Sequence, residues 1–320
     1  MSAAICGTGS YAPDYIMDNN RIAELVETND DWIKERTGIR KRHIAKTETT
    51  TFMASEAAKR ALENAGAEPE EIELIIVATL SSELIVPCSA CEVQREIGAK
   101  NAACFDINAA CSGFVIAYNM ADAFFAAGQY STALIVAAES LSKLTDWTDR
   151  NTCILFGDGA GAAVLKNTSD RHYNSVTHSD GGKGWALTCK NRLDLEEGRF
   201  SREHYIDMNG QEIFKFAVRR VPELIREVLQ KNKVEQEEIA WYVMHQANCR
   251  ILEAVARHLG EPAMKFPMNL QHYGNTSSAS IPLLLDEMNR KGMLKKGEKI
   301  LMAGFGAGLT WSGNIVEWSI

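Results

Sequence analysis

The sequence predicts an α/β protein made of two similar halves. Three observations support this prediction: short apolar runs alternate with helical patterns, the same residues recur at an offset of 167 positions, and no Pro- or Ser-rich linker interrupts the chain. Near-continuous apolar runs are typical of strands that helices cover on both faces. We therefore expect two mostly parallel, helix-covered sheets that pack together.

The elements of the first half follow one another in βα order. A helix is predicted from about Thr51 to Gly66, because its apolar residues recur at helical spacing and glycine ends it. Buried strands are predicted at residues 72–80, 102–107, 134–138 and 162–165, with a helix over about 111–127. The glycine-rich segment 157–161 is expected to be a tight turn.

The internal repeat rests on three pairs of segments at one fixed offset. Residues 70–72 (EEI), 108–111 (NAAC) and 134–137 (LIVA) match residues 237–239 (EEI), 275–278 (NTSS) and 301–304 (LMAG). Agreement of three registers at one offset indicates a duplicated unit. We expect one half over residues 1–170 and a second over 171–320, with the join near 166–175 and a site in the cleft between them.

Composition and charge narrow the class of protein. The chain has 320 residues, 46% of them hydrophobic and 24% charged, which is the composition of a globular protein with a large core. A net charge of −8 argues against nucleic acid as the main partner, because phosphate neutralisation needs a basic surface. The start lacks a basic, apolar leader and no run is long enough to cross a membrane, so we expect a cytoplasmic protein with reduced cysteines.

Cys111 is the first candidate for chemistry. It follows a predicted strand and opens a predicted helix, in the setting Ala-Ala-Cys-Ser-Gly-Phe. The positive end of a helix favours a thiolate, and small neighbours let a carbonyl approach. From these residues alone, a buried structural cysteine remains the alternative.

His245 and Asn275 are the other candidates. His245 leaves a buried strand at its C-terminal end, where α/β sheets bind ligands. Asn275 is, by the repeat, the second-half counterpart of the segment that leads to Cys111. A core histidine and a turn asparagine beside Gly274 are the alternatives that the residues leave open.

Three further segments have glycine, cysteine or basic patterns. Residues 304–308 (GFGAG) fit a backbone loop that donates N–H groups to an oxyanion better than a dinucleotide loop, because no helix follows. The Cys88/Cys91 pair has no second pair at zinc-ribbon distance, so we expect structural thiols and no metal site. Basic residues cluster after Trp32 and again in the second half, where solvated helix faces are the alternative to a binding patch.

Together these motifs resemble the β-ketoacyl-acyl carrier protein synthase III family of the thiolase superfamily. The resemblance runs from about residue 2 to the C-terminus and rests on five segments in the family's order: residues 31–40 (DWIKERTGIR), the Cys111 motif, 245–248 (HQAN), 274–282 (GNTSSASIP) and 304–308. It implies a duplicated thiolase-like fold with five layers, α/β/α/β/α, and a homodimer. It also implies an acyltransferase that condenses an acyl-CoA primer with malonyl-acyl carrier protein and so initiates fatty acid synthesis.

The resemblance assigns roles to individual residues. Cys111 would carry the acyl group, the N–H groups of Cys111 and Gly306 would form its oxyanion hole, and His245 and Asn275 would stabilise the enolate left by decarboxylation. The coenzyme A thioester is a substrate, and no cofactor is implied. The resemblance also gives residues that contact CoA and the carrier protein: Trp32, Arg36, Arg150 and Asn248 for CoA; Lys215, Arg250 and Arg257 for the carrier protein.

Two alternatives and one specificity question remain at this point. Cys, His and Asn occur in the same order in papain-like peptidases, but their cysteine signature is absent and a duplicated chain is not expected of them. A non-catalytic carrier-binding relative is the second alternative, against which the complete Cys111, His245 and Asn275 set speaks. Many family members have Phe where this chain has Val86, in a segment that closes the partner's acyl pocket, so we expect a roomier primer pocket.

Overall fold

The computed structural model describes residues 2–169, 172–191 and 201–320. The predicted boundary between residues 170 and 171 lies outside them and remains a prediction. Within the described residues the strands are β1 Ser2–Tyr11, β2 Ile16–Asp18, β3 Lys41–His43, β4 Leu74–Ala78, β5 Ala103–Ile107, β6 Thr132–Ser140, β7 Asp158–Thr168, β8 Val176–Ser179, β9 Leu187–Thr188, β10 Asp207–Met208, β11 Ile239–Met244, β12 Lys299–Gly306 and β13 Thr310–Glu317. The helices are α1 Asn19–Ala23, α2 Asp30–Thr37, α3 Thr50–Ala65, α4 Ser89–Ile97, α5 Gly113–Ala126, α6 Arg150–Cys153, α7 Gly210–Asn232, α8 Cys249–Leu259, α9 Leu270–Tyr273 and α10 Ser280–Arg290.

Two main sheets have matching strand orders. The first runs β1-β7-β6-β4-β5 and the second runs β8-β13-β12-β11, so each strand of the second sheet has a counterpart in the first. Read in these orders, the first two pairings of each sheet are antiparallel and the third is parallel, and the first sheet adds a parallel pairing of β4 with β5. β6 and β12 begin 167 residues apart, as do α5 and α10. The offset of 167 residues found in the sequence repeat therefore also relates the strands and helices of the two halves.

The sheets and helices form five layers. Along β4, Ile75 and Val77 point into a core under α3 and α4, whereas Leu74 and Ile76 point into a core shared with α5 and α10. That central core also contains apolar residues of β11, β12 and β13, whose other faces pack against α7 and α8. Alternation along the inner strands thus buries both faces of both sheets. The predicted five-layered α/β/α/β/α arrangement is confirmed.

Helix α3 begins and ends where the sequence predicts. The Thr49 hydroxyl accepts a hydrogen bond from the N–H of Phe52, and Gly66 ends the helix in the left-handed conformation.

The tight turn predicted at residues 157–161 is wrong, because residues 158–161 lie inside β7. Glycine is needed at 161 because α10 packs onto the strand, where a Cβ would lie 2.7 Å from the backbone nitrogen of Leu283.

Strand β5 is more exposed than the sequence predicts. Its first residue is exposed and the rest are half-buried, because β5 is the outermost strand and pairs only with β4. The same strand leads directly into the Cys111 turn. None of the described helices is both long and apolar enough to span a membrane.

Candidate active site

Cys111 lies in a one-turn helix between β5 and α5. The turn covers Ala110–Ser112, and Cys111 is buried at its centre. Gly306, at the end of β12, lies directly against it: a Cβ at position 306 would be 2.8 Å from the Cys111 Cβ and 3.0 Å from its Sγ. The structure therefore brings together the two residues assigned to one oxyanion hole.

The Cys111 thiol is protonated in the resting site. Burial is the main reason that its pKa is raised to about 12; within that net shift the Ser277 hydroxyl acts to lower the pKa and the nearby Glu139 carboxylate to raise it. The sequence analysis favoured a thiolate because it considered the positive end of the helix, which lowers the pKa of a thiol, but not burial, which raises it. The turn also separates Cys111 from the first residue of α5, Gly113.

His245 follows the last residue of β11. Its backbone N–H donates to the carbonyl of Ala303, and its Nδ1 lies 2.8 Å from the Ser280 hydroxyl. The ring meets that of Phe305 edge to face, with 5.3 Å between centroids. Burial lowers the pKa of His245 to about 3, so the imidazole is neutral near pH 7.

The side chain of Asn275 has a defined orientation. Its backbone N–H donates to the Leu155 carbonyl at 2.9 Å, and its own carbonyl accepts from the N–H of Gly157 at 3.1 Å. The side-chain oxygen accepts a hydrogen bond from the N–H of Ser277 at 2.9 Å. This bond fixes the orientation of the amide, whose NH₂ group is its only donor and can donate to a substrate.

Ser277 connects the three candidate residues. Its N–H binds Asn275, its hydroxyl lowers the pKa of Cys111, and its backbone raises that of His245. Sequence reasoning missed Ser277, Ser280 and Phe305. The repeat could have indicated Ser277, since it aligns with Ala110 beside the cysteine.

The four residues assigned to CoA lie together. The Trp32 ring has the guanidinium carbon of Arg150 at 4.6 Å and that of Arg36 at 5.7 Å from its centroid. Asn248 caps the N-terminus of α8 and donates from its amide to the Arg36 carbonyl at 3.0 Å. The carbonyl of Glu27 accepts a hydrogen bond from Arg150, and the hydroxyl of the next residue, Thr28, is buried without a hydrogen-bond partner in the protein. The sequence analysis did not identify Thr28.

The residues assigned to carrier-protein docking lie on two neighbouring helices. Arg250 and Arg257 are exposed on α8, and Lys215 is exposed on α7. The guanidinium of Arg250 lies 5.8 Å from the ring of Phe214, the residue that precedes Lys215 on α7, so the two helices meet at this point. Lys215 also forms an ion pair with Glu212 at 2.9 Å, so the positive charge of this surface is partly neutralised.

Val86 lies outside the Cys111 site of its own chain. Leu84, Ile85 and Val86 are 48%, 68% and 81% exposed, whereas Glu83 anchors the segment by accepting two hydrogen bonds from Thr51. Three consecutive exposed apolar residues are characteristic of a contact surface. Among the described residues, no cluster of three or more His, Cys, Asp and Glu side chains could hold a metal ion.

Comparison with known proteins identifies the family. The model of 3-oxoacyl-[acyl-carrier-protein] synthase III matches residues 105–181, and the model of its C-terminal part matches residues 229–318. Two β-ketoacyl-[acyl-carrier-protein] synthase III sequences, from Clostridium botulinum (strain 657) and Clostridium acetobutylicum, are 48% identical over 99% of this chain and 99% of their own. Full-length similarity to condensing enzymes removes the peptidase alternative.

Solved structures agree with this result. The crystal structure of 3-oxoacyl-[acyl-carrier-protein] synthase III from Aquifex aeolicus has a TM-score of 0.93 and 43% identity, covering 99% of this chain and 100% of that one. The priming β-ketosynthase of the R1128 polyketide pathway has a TM-score of 0.94 and 34% identity, over 99% of this chain and 96% of that one. The predicted thiolase-like fold is confirmed, and this chain belongs to the β-ketoacyl-acyl carrier protein synthase III family.

Proposed function

We propose that this acyltransferase condenses an acyl-CoA primer with malonyl-acyl carrier protein and thereby initiates fatty acid synthesis. The observation that supports the proposal most strongly is the meeting of Cys111, His245 and Asn275 around Ser277. The three residues come from different elements and supply a nucleophile and two neutral polar groups. A nucleophile can take the acyl group from one thioester, and two neutral donors can stabilise the enolate formed from a second thioester.

In the first half-reaction, the sulfur of Cys111 attacks the acyl-CoA carbonyl. The N–H groups of Cys111 and Gly306 stabilise the oxyanion, coenzyme A leaves as its thiolate, and the proton lost by Cys111 balances that charge. Since burial holds the thiol in its protonated form, proton removal belongs to this step and not to the resting enzyme.

In the second half-reaction, Asn275 and His245 bind the thioester carbonyl of malonyl-carrier protein. Carbon dioxide leaves, and these two donors stabilise the enolate oxygen. The carbanion attacks the carbonyl carbon of the acyl-cysteine, the C–S bond to Cys111 breaks, and β-ketoacyl-carrier protein is released with Cys111 as a thiolate that regains its proton. This role requires the proton of His245 on Nε2 and a free acceptor at Nδ1. The Ser280 hydroxyl, which also lies 2.9 Å from the Ser277 carbonyl, must then turn its one hydrogen toward Nδ1. A neutral imidazole donates without adding a charge to the buried site.

Two surfaces bind the two substrates, and the first of them binds CoA. Trp32, flanked by Arg36 and Arg150, offers an aromatic face and two cations to the adenine nucleotide of CoA, and Thr28 and Asn248 offer polar groups beside it. Coenzyme A is a substrate here, and we propose that no separate cofactor takes part.

The second surface receives the carrier protein. Lys215, Arg250 and Arg257 give an acidic enzyme a local basic patch, which an acidic carrier protein needs for docking. We propose that this patch orients the carrier protein and does not contribute to the chemical step.

We also propose a cytoplasmic homodimer. The exposed Leu84–Val86 segment and the outer edge of β5 are the apolar and hydrogen-bonding surfaces that a second copy would cover. The eight cysteines are free thiols, in keeping with a reducing compartment.

The proposed function is tested with a panel of acyl-CoA primers and malonyl-carrier protein, with the product read by mass. We expect β-ketoacyl-carrier protein from the wild type and none from Cys111→Ala. A wild-type protein that binds carrier protein but forms no product with any primer would instead support a non-catalytic relative.

A further inference from the structure

Glu139 is a buried carboxylate directly beneath the site. It lies near the end of β6, is fully buried, and forms no ion pair with any described residue. Its pKa is raised to about 7 by burial. Burying an acid without an ion-pair partner costs stability, and neither proposed half-reaction uses Glu139.

The two oxygens of Glu139 bind opposite sides of the molecule. One accepts a hydrogen bond from the Ser278 hydroxyl at 2.7 Å, in the second half of the chain. The other accepts from the Ser81 hydroxyl at 2.7 Å and the N–H of Leu80 at 3.2 Å, just beyond β4 in the first half. The carboxylate therefore joins the two halves where their site-bearing turns meet.

The second-half partner belongs to the turn that orients Asn275. Ser278 directly follows Ser277, whose N–H fixes the Asn275 side-chain oxygen. Ser278 also packs against the start of α5, directly after the Cys111 turn: a Cβ at Gly113 would lie 3.3 Å from the Ser278 Cβ. A shift of Ser278 would therefore move Ser277 and rotate the donating end of Asn275.

We propose that Glu139 is a positioning residue for the condensation, which holds the Ser277–Ala279 turn so that Asn275 can donate to the malonyl thioester. The proposal rests on the proposed function of Asn275. Glu139 touches neither substrate, and its effect passes through the turn.

Glutamine is expected to replace Glu139 in this role. Its amide oxygen can accept from Ser81 and Leu80, and its NH₂ can donate to Ser278. The Ser278 hydroxyl then donates to the Ala78 carbonyl, which already lies 3.2 Å away. Alanine removes all of these hydrogen bonds, whereas glutamine removes only the negative charge. Comparing the two substitutions therefore separates the effect of the hydrogen bonds from the effect of the charge.

A double-mutant cycle between Glu139 and Asn275 tests the proposal. Acylation by acetyl-CoA is followed by intact mass, and decarboxylation of malonyl-carrier protein by release of carbon dioxide. We expect Glu139→Ala to slow decarboxylation by roughly 10- to 100-fold in the wild type, and by less than about threefold in the Asn275→Ala background. Acylation should fall by less than about threefold, and Glu139→Gln should resemble the wild type.

Asp286→Ala is the matched control. Asp286 is equally buried and accepts hydroxyl hydrogen bonds from Thr8 and Ser10 of the other half, but it lies in α10, away from Cys111. It should lower stability without slowing decarboxylation selectively. If Glu139→Ala fails to fold, Ser278→Ala takes its place in the cycle. We expect it to slow decarboxylation less than Glu139→Ala does, and to have no such effect in the Asn275→Ala background.

Three results would overturn the proposal: equal slowing by Glu139→Ala with and without Asn275, a Glu139→Gln enzyme as slow as Glu139→Ala, or no slowing at all. A wild-type protein that is neither acylated nor able to decarboxylate would contradict the proposed function instead. The two failures are thus distinguishable.

Discussion

Ala110 and Ser277 lie 167 positions apart in the chain and share the left-handed backbone conformation, with φ of +44° and +49°. Each begins a one-turn helix that leads into a longer helix of the central layer. Such a conformation costs a non-glycine residue about 1–3 kcal/mol, and proteins retain it mainly at functional sites. The duplication has kept one strained turn in both halves, beside Cys111 in the first and beside Asn275 in the second.

Gly306→Ala should abolish most acylation. The new methyl group would lie 3.0 Å from the Cys111 sulfur, so either the nucleophile or the N–H at position 306 must move. We expect acyl-enzyme formation to slow by about 10²–10³, the cost of one oxyanion donor. Gly181→Ala is the control, because Gly181 has no atom within 4 Å of its added Cβ. A folded Gly306→Ala enzyme that acylates at the wild-type rate would show that 306 is no part of the oxyanion hole.

Asn275→Ala should separate the half-reactions. Decarboxylation of malonyl-carrier protein should slow by roughly 10²–10³, since one donor to the enolate is lost. Acylation of Cys111 should remain largely intact, because its oxyanion hole is elsewhere. Poor acylation with normal decarboxylation would reverse the assigned roles.

Arg250→Glu should weaken use of the carrier protein and leave acyl-CoA use unchanged. It replaces attraction by repulsion on α8, so the KM for malonyl-carrier protein should rise, and the wild-type KM should depend strongly on salt. Lys59→Glu, the same charge change on α3 in the opposite outer layer, should leave the KM unchanged. A wild-type KM that is constant across salt concentrations would exclude the basic patch.

Val86→Phe should narrow the choice of primer. With valine at this position, we expect butyryl- or isobutyryl-CoA to acylate Cys111 at least as well as acetyl-CoA, and phenylalanine to restore a preference for acetyl. Each primer methylene that is buried contributes about 0.8 kcal/mol to binding, which changes the preference between two primers several-fold per carbon. Ile16→Phe, at another exposed apolar position, should change nothing. Strong acetyl preference in the wild type would indicate that Leu84 or Ile85 fills the space.

Glu139→Gln should change how stability depends on pH. The carboxyl has its ordinary pKa of 4.5 when unfolded and about 7 when folded, so the stability it contributes below pH 4.5 is lost as the pH rises to about 7. Glutamine does not titrate. The melting temperature of Glu139→Gln minus that of the wild type should therefore increase from pH 4.5 to pH 7, and a constant difference over this range would mean that Glu139 titrates normally.

The sequence predicted those features that local patterns determine. The βα order from about residue 51 to residue 165 and the duplication followed from periodicity and the repeat, and the candidate residues Cys111, His245 and Asn275 followed from the motifs. The turn expected at residues 157–161 was wrong, because glycine there accommodates the close approach of α10 and not a change of direction. The burial of β5 was overestimated, because an edge strand and a central one have similar apolar sequences.

Glu139 shows why the remainder could not be predicted. In the sequence it ends an apolar strand and resembles an acid that leaves the core for solvent. Its partner Ser278 is 139 residues away, so only the packing of the two halves brings them together. Ser277 and Phe305 were missed for the same reason, since each acts through neighbours from distant segments.

The intact mass of the protein after incubation with acyl-CoA tests the central claim most directly. We predict a gain of one acyl group, mapped to Cys111 in the wild type, retained in Asn275→Ala and absent from Cys111→Ala. A wild-type protein that gains no acyl group from any primer, or a Cys111→Ala protein that still gains one, would contradict the account.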